Sequence, residues 1–139
     1  MIIRDAVFED LEQLMPIAHE VHAGSVFAPF AMNDAQIQRV FVTMMAFDDG
    51  FVKVVERNDK IVGCLAGAVA ENHFGIRCAQ DFFNYSMGGT HRLLREFKSW
   101  AKEHGAQFIQ ISDFGGKKRY HKLIIGEGFK PEGINFIGV

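Results

Sequence analysis

A strand-like run that meets two glycines at the start of an amphipathic helix constrains this chain more than any other feature. The run CAQDFFNY ends at Tyr85, the segment SMGG follows, and a helical pattern then continues until Gly105. Apolar residues recur in that pattern at helical spacing, at Leu93, Leu94, Phe97, Trp100 and Ala101. A helix start leaves about four N–H groups unpaired and carries about half a positive charge. The glycines therefore indicate either a site for an anionic ligand or a tight turn.

The order of the remaining elements predicts the fold class. MIIRDA predicts a strand, and two helices follow, the second capped by Asn33 and ending near Ala46. FVKVVE, KIVGCLAGAVAE and CAQDFFNY predict strands, with a hairpin turn at Asn58-Asp59 between the first two. After the glycine-led helix we expect a strand in AQFIQISDF, a short helix over 117–125 and a last strand in FKPEGINFIGV.

This order, β-α-α-β-β-β-α-β-α-β, predicts an α/β fold. Antiparallel strands followed by a β-α-β crossover produce a mixed sheet with helices on both faces. No repeat or linker interrupts the sequence, so residues 1–139 are predicted to form a single domain.

Composition narrows the class of partners and the compartment. A net charge of −2 argues against a nucleic-acid-binding surface, and no apolar run approaches the length of a membrane span. Charges at Arg4 and Asp5 argue against a signal peptide, so we expect a cytoplasmic protein. Cys64 and Cys78 lie in apolar runs and are predicted to be buried free thiols. The 14 phenylalanines suit an aromatic core or a surface used for pairing.

Four segments of the chain form a recognisable set: IIRDAVFEDLEQL, DKIVGCLAGAV, GGTHRLLREFKSWAKEHGA and EGFKPEG. Together they resemble the GCN5-related N-acetyltransferases, which transfer the acetyl group of acetyl-coenzyme A to an amine. The likeness covers nearly the whole chain. It is greatest to short members common in phages and prophages, whose first helix leads into a loop similar to HAGSVFAPF. The resemblance implies the acyl-coenzyme A N-acyltransferase fold.

In the resembled family, the strand before the glycine-led helix parts from the next strand, and the pantetheine arm lies in the gap. The pyrophosphate lies at the helix N-terminus. The resemblance therefore implies acetyl-coenzyme A as co-substrate. It implies coenzyme contacts from Phe83, Tyr85, Met87, Gly88, Gly89, Thr90, His91 and Arg92. Lys118, at the start of the last helix, is implied as a clamp on the adenosine phosphate.

The glycine loop departs from the family pattern. Tyr85 stands where Gln or Arg is usual, Thr90 replaces a Gly or Ala, and the loop is shorter than in most members. The loop also lacks a cation of its own, so His91 and Arg92 are the nearest positive candidates. A turn kept in a fold that has lost its coenzyme is the alternative interpretation.

Acetyl transfer benefits from a base for the amine and a proton donor for the leaving thiolate. Many family members use a tyrosine four residues before the glycine of Gly-Phe, where this chain has Ile124. Tyr120, one turn earlier, is the candidate donor, with a half-buried packing residue as the alternative. Asp113, after the predicted fifth strand, is the candidate base, with a turn residue before two glycines as the alternative. Other possible bases are His22, Glu71, His73 and Asp81.

The loop after the first helix lines the acceptor pocket in the resembled family. The resemblance thus implies acceptor contacts from His22, Ser25 and Phe27. His19 and His22 are three residues apart with no evident third ligand, unlike the His-Glu-x-x-His zinc motif, so we predict no metal site.

These observations predict an N-acetyltransferase in which an amine attacks acetyl-coenzyme A directly in a ternary complex. The acceptor amine is not specified by the sequence, and a homodimer is possible. The alternative is a non-catalytic binding protein of the same fold, such as a phage virion or accessory protein that has lost coenzyme binding.

Overall fold

The structure is a computed structural model and describes residues 1–112, 118–132 and 138, with only the backbone described at 118 and 119. A single 3-10 turn at Phe8–Asp10 precedes the first helix. The elements in chain order are β1 Ile2–Asp5, α1 Leu11–Ala23, α2 Asp34–Ala46, β2 Gly50–Arg57, β3 Lys60–Glu71, β4 Arg77–Ser86, α3 Thr90–Glu103, β5 Phe108–Gln110 and α4 Lys118–Gly126.

The five strands found among the described residues form one sheet in the order β1-β2-β3-β4-β5. Neighbouring strands pair antiparallel except β4 and β5, which are parallel because the crossover helix α3 connects them. The predicted α/β fold with a mixed sheet is confirmed. The fifth strand is shorter than the sequence predicted, at three residues. Of the predicted last strand, residues 129–132 are not in a strand, and 133–137 and 139 lie outside the described residues.

Each face of the sheet buries its own core. On one face, α1 and α2 pack through Leu14, Ile17 and Phe41 against Val54 of β2. On the other face, the apolar stripe of α3 packs on the sheet, and the sequence pattern had identified its members: Leu93, Leu94, Phe97 and Ala101, with Trp100 at the edge. The two cores explain why β2 and β3 read as continuous apolar runs, since both of their faces are covered.

Local signals in the sequence fix the ends of several elements. The Asn33 side chain accepts a hydrogen bond from the Gln36 N–H at 3.0 Å and caps α2 as predicted. Asn58 and Asp59 both have positive φ, at 51° and 62°, which the tight turn of the β2–β3 hairpin requires. Of the two free thiols, Cys64 is buried as predicted and Cys78 is half-buried.

An extra residue in β4 changes which face its side chains occupy. The β3–β4 register shifts because Ala66 pairs with Phe83 while Gly67 pairs with Asp81, which leaves Phe82 as a bulge. Ala79 consequently packs in the α3 core, whereas Phe83 packs in the α1–α2 core. Without the bulge these two positions would share a face, since side chains alternate along a strand.

Gly67 is required where the bulge meets α3. A Cβ added there would lie 2.6 Å from the Gln80 carbonyl oxygen and 2.9 Å from the Phe97 ring. Both contacts are too short for an alanine, and a carbonyl in a ladder cannot move freely. The glycine thus allows the bulged part of β4 and helix α3 to approach the same point of β3.

We expect Gly67→Ala to lower the free energy of unfolding by about 1–3 kcal/mol, because the added methyl group overpacks this contact. Urea unfolding followed by circular dichroism measures the change. Gly24→Ala is the matched control, since its Cβ would meet its nearest neighbour, the Glu20 carbonyl oxygen, at 3.7 Å. Equal stability of the two variants would contradict this account of the bulge.

Candidate functional site

The strands β4 and β5 run together for only three residue pairs and then part. The pairs are Cys78–Phe108, Ala79–Ile109 and Gln80–Gln110. β4 continues to Ser86, but the described residues that follow β5, Ile111 and Ser112, make no ladder pair with it. We call the region where this ladder ends the β4–β5 split. It begins at the bulge, because the ladder ends at Gln80 and Phe82 is the extra residue.

Side chains from β4 cross the split. The Ser112 N–H donates to Asp81 Oδ1 at 2.9 Å, and Asn84 Nδ2 donates to the Ser112 carbonyl oxygen at 3.0 Å. Asn84 Nδ2 also donates to Asp81 Oδ2. Both oxygens of the carboxylate therefore accept, and both hydrogens of the amide are used.

Asp81 is the most deeply buried acidic residue in the split, with 5% of its surface exposed. Burial raises the pKa of its carboxyl group to about 6, although the hydrogen bonds from Ser112 and Asn84 favour the ionised form and oppose that rise. Among the described residues no cationic side chain forms an ion pair with Asp81. Among the described residues, the groups that stabilise this carboxylate are therefore neutral hydrogen-bond donors.

The raised pKa makes stability depend on pH at this residue. A buried acid whose folded-state pKa lies above its ordinary value stabilises the fold below that ordinary value, and the contribution is lost as the pH rises through about 6. In Asp81→Asn the side chain is an amide, which does not ionise in this pH range. We expect the free energy of unfolding of the variant, relative to the unaltered protein, to rise by up to about 3 kcal/mol between pH 4 and pH 7.

Urea titrations at both pH values measure this difference, with the exposed Asp48→Asn as control. A difference that stayed constant, or that fell as the pH rose, would contradict the burial of an unpaired carboxylate in the split.

The two glycines form the turn that starts α3. Gly89 is the N-cap and has φ of 75°, a left-handed conformation that favours glycine. The Ser86 hydroxyl accepts from the Gly88 N–H at 2.9 Å and donates to the Gly88 carbonyl oxygen. Within the described part of the chain, the N–H groups of Gly89, Thr90 and His91 have no hydrogen-bond acceptor. These three amides are the donors that the helix N-terminus offers.

The structure supplies a cation to this turn from a distant part of the chain. A Cβ at Gly88 would lie 3.4 Å from Arg57 Nη2, and one at Gly89 would lie 3.2 Å from the Met1 methyl group. Arg57 ends β2, which is two strands away from β4 in the sheet. No pattern in the sequence indicated this neighbour, because only the pairing of the strands brings it to the turn. The turn therefore contacts the N-terminus and the end of β2.

The other residues implied as coenzyme contacts are spread over several environments. Phe83 is buried in the α1–α2 core. The Tyr85 hydroxyl donates to Glu20 Oε2 at 3.2 Å, and burial together with that carboxylate raises its pKa. Met87 is 75% exposed, whereas Thr90 is buried as the first residue of α3. The remaining two, His91 and Arg92, are exposed at the helix start.

Helix α4 carries the candidate proton donor. The Tyr120 hydroxyl oxygen is buried, and Ile124, one turn later, packs against the α3 core. Arg95 and Lys98 of α3 hold the end of α4 through the Glu127 carboxylate and carbonyl, at 2.9 and 2.7 Å. The candidate base Asp113 and the side chain of Lys118 lie outside the described residues.

The residues implied for the acceptor lie in the last turn of α1, at His22, and in the loop that follows it, at Ser25 and Phe27. The Ser25 hydroxyl donates to the His22 carbonyl oxygen at 2.8 Å and accepts from the Phe27 N–H at 3.1 Å, so it serves the local turn. His22 is half-buried, and Phe27 is 47% exposed. His19 pairs with Asp34 at 2.9 Å. The described residues contain no group of three or more His, Cys, Asp or Glu side chains that could hold a metal ion.

Two other candidate bases lie away from the split. Glu71 ends β3 and pairs with Arg77, and His73 lies in the following turn, where its ring packs against the Phe74 ring at a tilt of 42°. That hairpin is at the start of β4, whereas the split opens towards its end. Of the bases considered from the sequence, Asp81 alone among the described residues lies in the split.

The chain is similar to known proteins in its structure, whereas its sequence matches none of the family models or curated proteins. Solved structures do match. An aminoglycoside antibiotic 6′-N-acetyltransferase from Acinetobacter haemolyticus has a TM-score of 0.75 at 12% identity, covering 100% of this chain and 98% of that one.

Two further solved structures are similar to this chain over most of their length. A ribosomal-protein-alanine N-acetyltransferase from Brucella melitensis has a TM-score of 0.79 at 18% identity, covering 96% of this chain and 86% of that one. A predicted acetyltransferase from Clostridium acetobutylicum, solved with acetyl-CoA, has a TM-score of 0.74 at 17% identity, covering 99% and 94%. Across the described residues, no helix has the length and apolar character needed to cross a membrane. The three structural matches together show that the chain has the fold of the GCN5-related N-acetyltransferases.

Proposed function

We propose that the protein is an N-acetyltransferase that transfers the acetyl group of acetyl-coenzyme A to an amine. The observation that carries the proposal is the β4–β5 split in a fold that this chain shares with acetyltransferases, one of them solved with acetyl-CoA. Beyond Gln80, the backbone groups along this edge of β4 have no ladder partner among the described residues. Such groups can pair with the amides of a pantetheine arm as a neighbouring strand would.

The chain also offers groups suited to the diphosphate of the coenzyme. The unpaired N–H groups of Gly89, Thr90 and His91 begin α3, where the helix dipole favours an anion. Arg57 adds a guanidinium beside Gly88, and Arg groups bind phosphate oxygens in pairs. Arg57 thus supplies the cation that the glycine loop itself lacks.

The chemistry requires a neutral amine, a polarised thioester and a protonated leaving group. The amine nitrogen forms a bond to the acetyl carbon and loses a proton, while the bond from that carbon to sulfur breaks and the thiolate takes up a proton. Backbone N–H groups at the split would stabilise the oxyanion. We propose Tyr120 as the proton donor and His22, Ser25 and Phe27 as contacts of the acceptor.

The second candidate is a binding protein of the same fold without catalysis. Its support is that the glycine turn is already engaged by the protein. Ser86 bonds both the N–H and the carbonyl of Gly88, and Met1 lies against Gly89. Ile124 also occupies the position at which many family members carry the donor tyrosine.

Calorimetry with acetyl-coenzyme A separates the two candidates. We expect micromolar binding that weakens about tenfold or more in Gly88→Leu, because a side chain would cover the helix N-terminus, and severalfold in Arg57→Ala through loss of a phosphate contact. Gly24→Leu is the matched control, since Gly24 is an exposed helix-end glycine far from α3 along the chain. Absence of heat at millimolar coenzyme would refute the enzyme and favour the binding protein.

An activity assay tests Tyr120 as the proton donor. It measures the release of free thiol from acetyl-coenzyme A with a panel of small amines and amino-terminal peptides as acceptors. We expect Tyr120→Phe to lower kcat by about 100-fold with little change in KM for the coenzyme, because the lost hydroxyl acts only as the thiolate leaves. Lys122→Ala, at an exposed position of the same helix, serves as control. Full activity of Tyr120→Phe would remove this residue from the mechanism.

A further inference from the structure

Ser112 has both of its backbone groups bonded to side chains of β4. Its N–H donates to Asp81 Oδ1 at 2.9 Å, and its carbonyl oxygen accepts from Asn84 Nδ2 at 3.0 Å. In a continuous ladder, backbone groups of the neighbouring strand would fill both roles. Asp81 and Asn84 thus provide one acceptor and one donor to the chain that leaves β5, at a point where the backbone of β4 provides neither.

The bulge makes this arrangement possible. Asp81 and Asn84 are three residues apart, and in a regular strand they would point to opposite faces of the sheet. Phe82 is the extra residue between them, and both side chains reach the same backbone unit of Ser112. Asn84 Nδ2 also donates to Asp81 Oδ2, which fixes the two side chains to one another. Asp81 is buried and Asn84 is half-buried, so water competes little for these bonds.

We propose that Asp81 and Asn84 form a brace that holds the chain beyond β5 at a fixed separation from β4. The brace makes the end of the ladder a built feature rather than a frayed end of the sheet. The two residues position the strands and need not touch a ligand. For coenzyme binding the consequence rests on the proposed function: a split that is already ordered spares the coenzyme the entropy of ordering it.

Amide hydrogen exchange followed by NMR tests the brace without any ligand. We expect the Ser112 amide to exchange about tenfold faster in Asp81→Ala and severalfold faster in Asn84→Ala. The double variant should exchange no faster than Asp81→Ala, because the two side chains act as one unit. Gln80→Ala, an exposed position in the last β4–β5 pair, is the control and should leave the rate unchanged.

Unchanged Ser112 exchange in both single variants would overturn the brace. Equal acceleration in Gln80→Ala would overturn it as well, since the effect would then belong to the sheet edge in general. If Asp81→Ala does not fold, the Ser112 exchange rate in Asn84→Ala decides the question. Asn84 is only half-buried, so we expect that variant to fold.

Calorimetry with acetyl-coenzyme A tests the link to the proposed function. We expect both brace variants to bind the coenzyme about five- to tenfold more weakly than Gln80→Ala. Faster exchange together with unchanged or tighter binding would overturn the positioning role. If the unaltered protein binds no coenzyme, the proposed function fails, and hydrogen exchange at Ser112 still decides whether the brace exists.

Discussion

The bulge at Phe82 governs the sheet on which the rest of this structure is built. One extra residue in β4 moves Phe83 into the α1–α2 core and leaves Ala79 in the α3 core. It adjoins the last pair of the β4–β5 ladder, so the change of face and the end of the ladder lie at the same place in β4. Gly67 permits the bulge, because any side chain there would meet the Gln80 carbonyl and the Phe97 ring.

Asp81 in the β4–β5 split and the N-terminus of α3 have opposite electrostatic environments. Asp81 is an acidic group kept in the interior by neutral donors, so its charge is costly and its pKa rises. The helix start is the reverse case, with unpaired N–H groups and a nearby guanidinium that together favour a negative ligand. A diphosphate such as the proposed coenzyme carries would suit the helix start. Asp81 needs no ligand, because both of its oxygens already accept hydrogen bonds from Ser112 and Asn84.

Several parts of the site were readable in the sequence because their signals are local. The glycine pair predicted a special backbone conformation, and Gly89 adopts a positive φ at the N-cap of α3. The apolar stripe of that helix predicted its buried face, since helical periodicity depends only on neighbouring residues. The bulge left no such trace, because Asp81 and Asn84 read as ordinary members of a strand. Arg57 was also missed, since its approach to Gly88 depends on the pairing of β2 with β3 and of β3 with β4.

The sequence by itself determined the order of the elements, the α/β class and the place where a strand passes into a glycine-led helix. Those features arise from periodicity, turn residues and caps, which act over a few residues. The tertiary structure alone decided that the β4–β5 ladder ends after Gln80 and that two side chains of β4 bond the backbone of Ser112. It also brought a distant arginine to the glycine turn. These are contacts between residues far apart in the chain, and they exist only once strand register has been set by the packing of both cores.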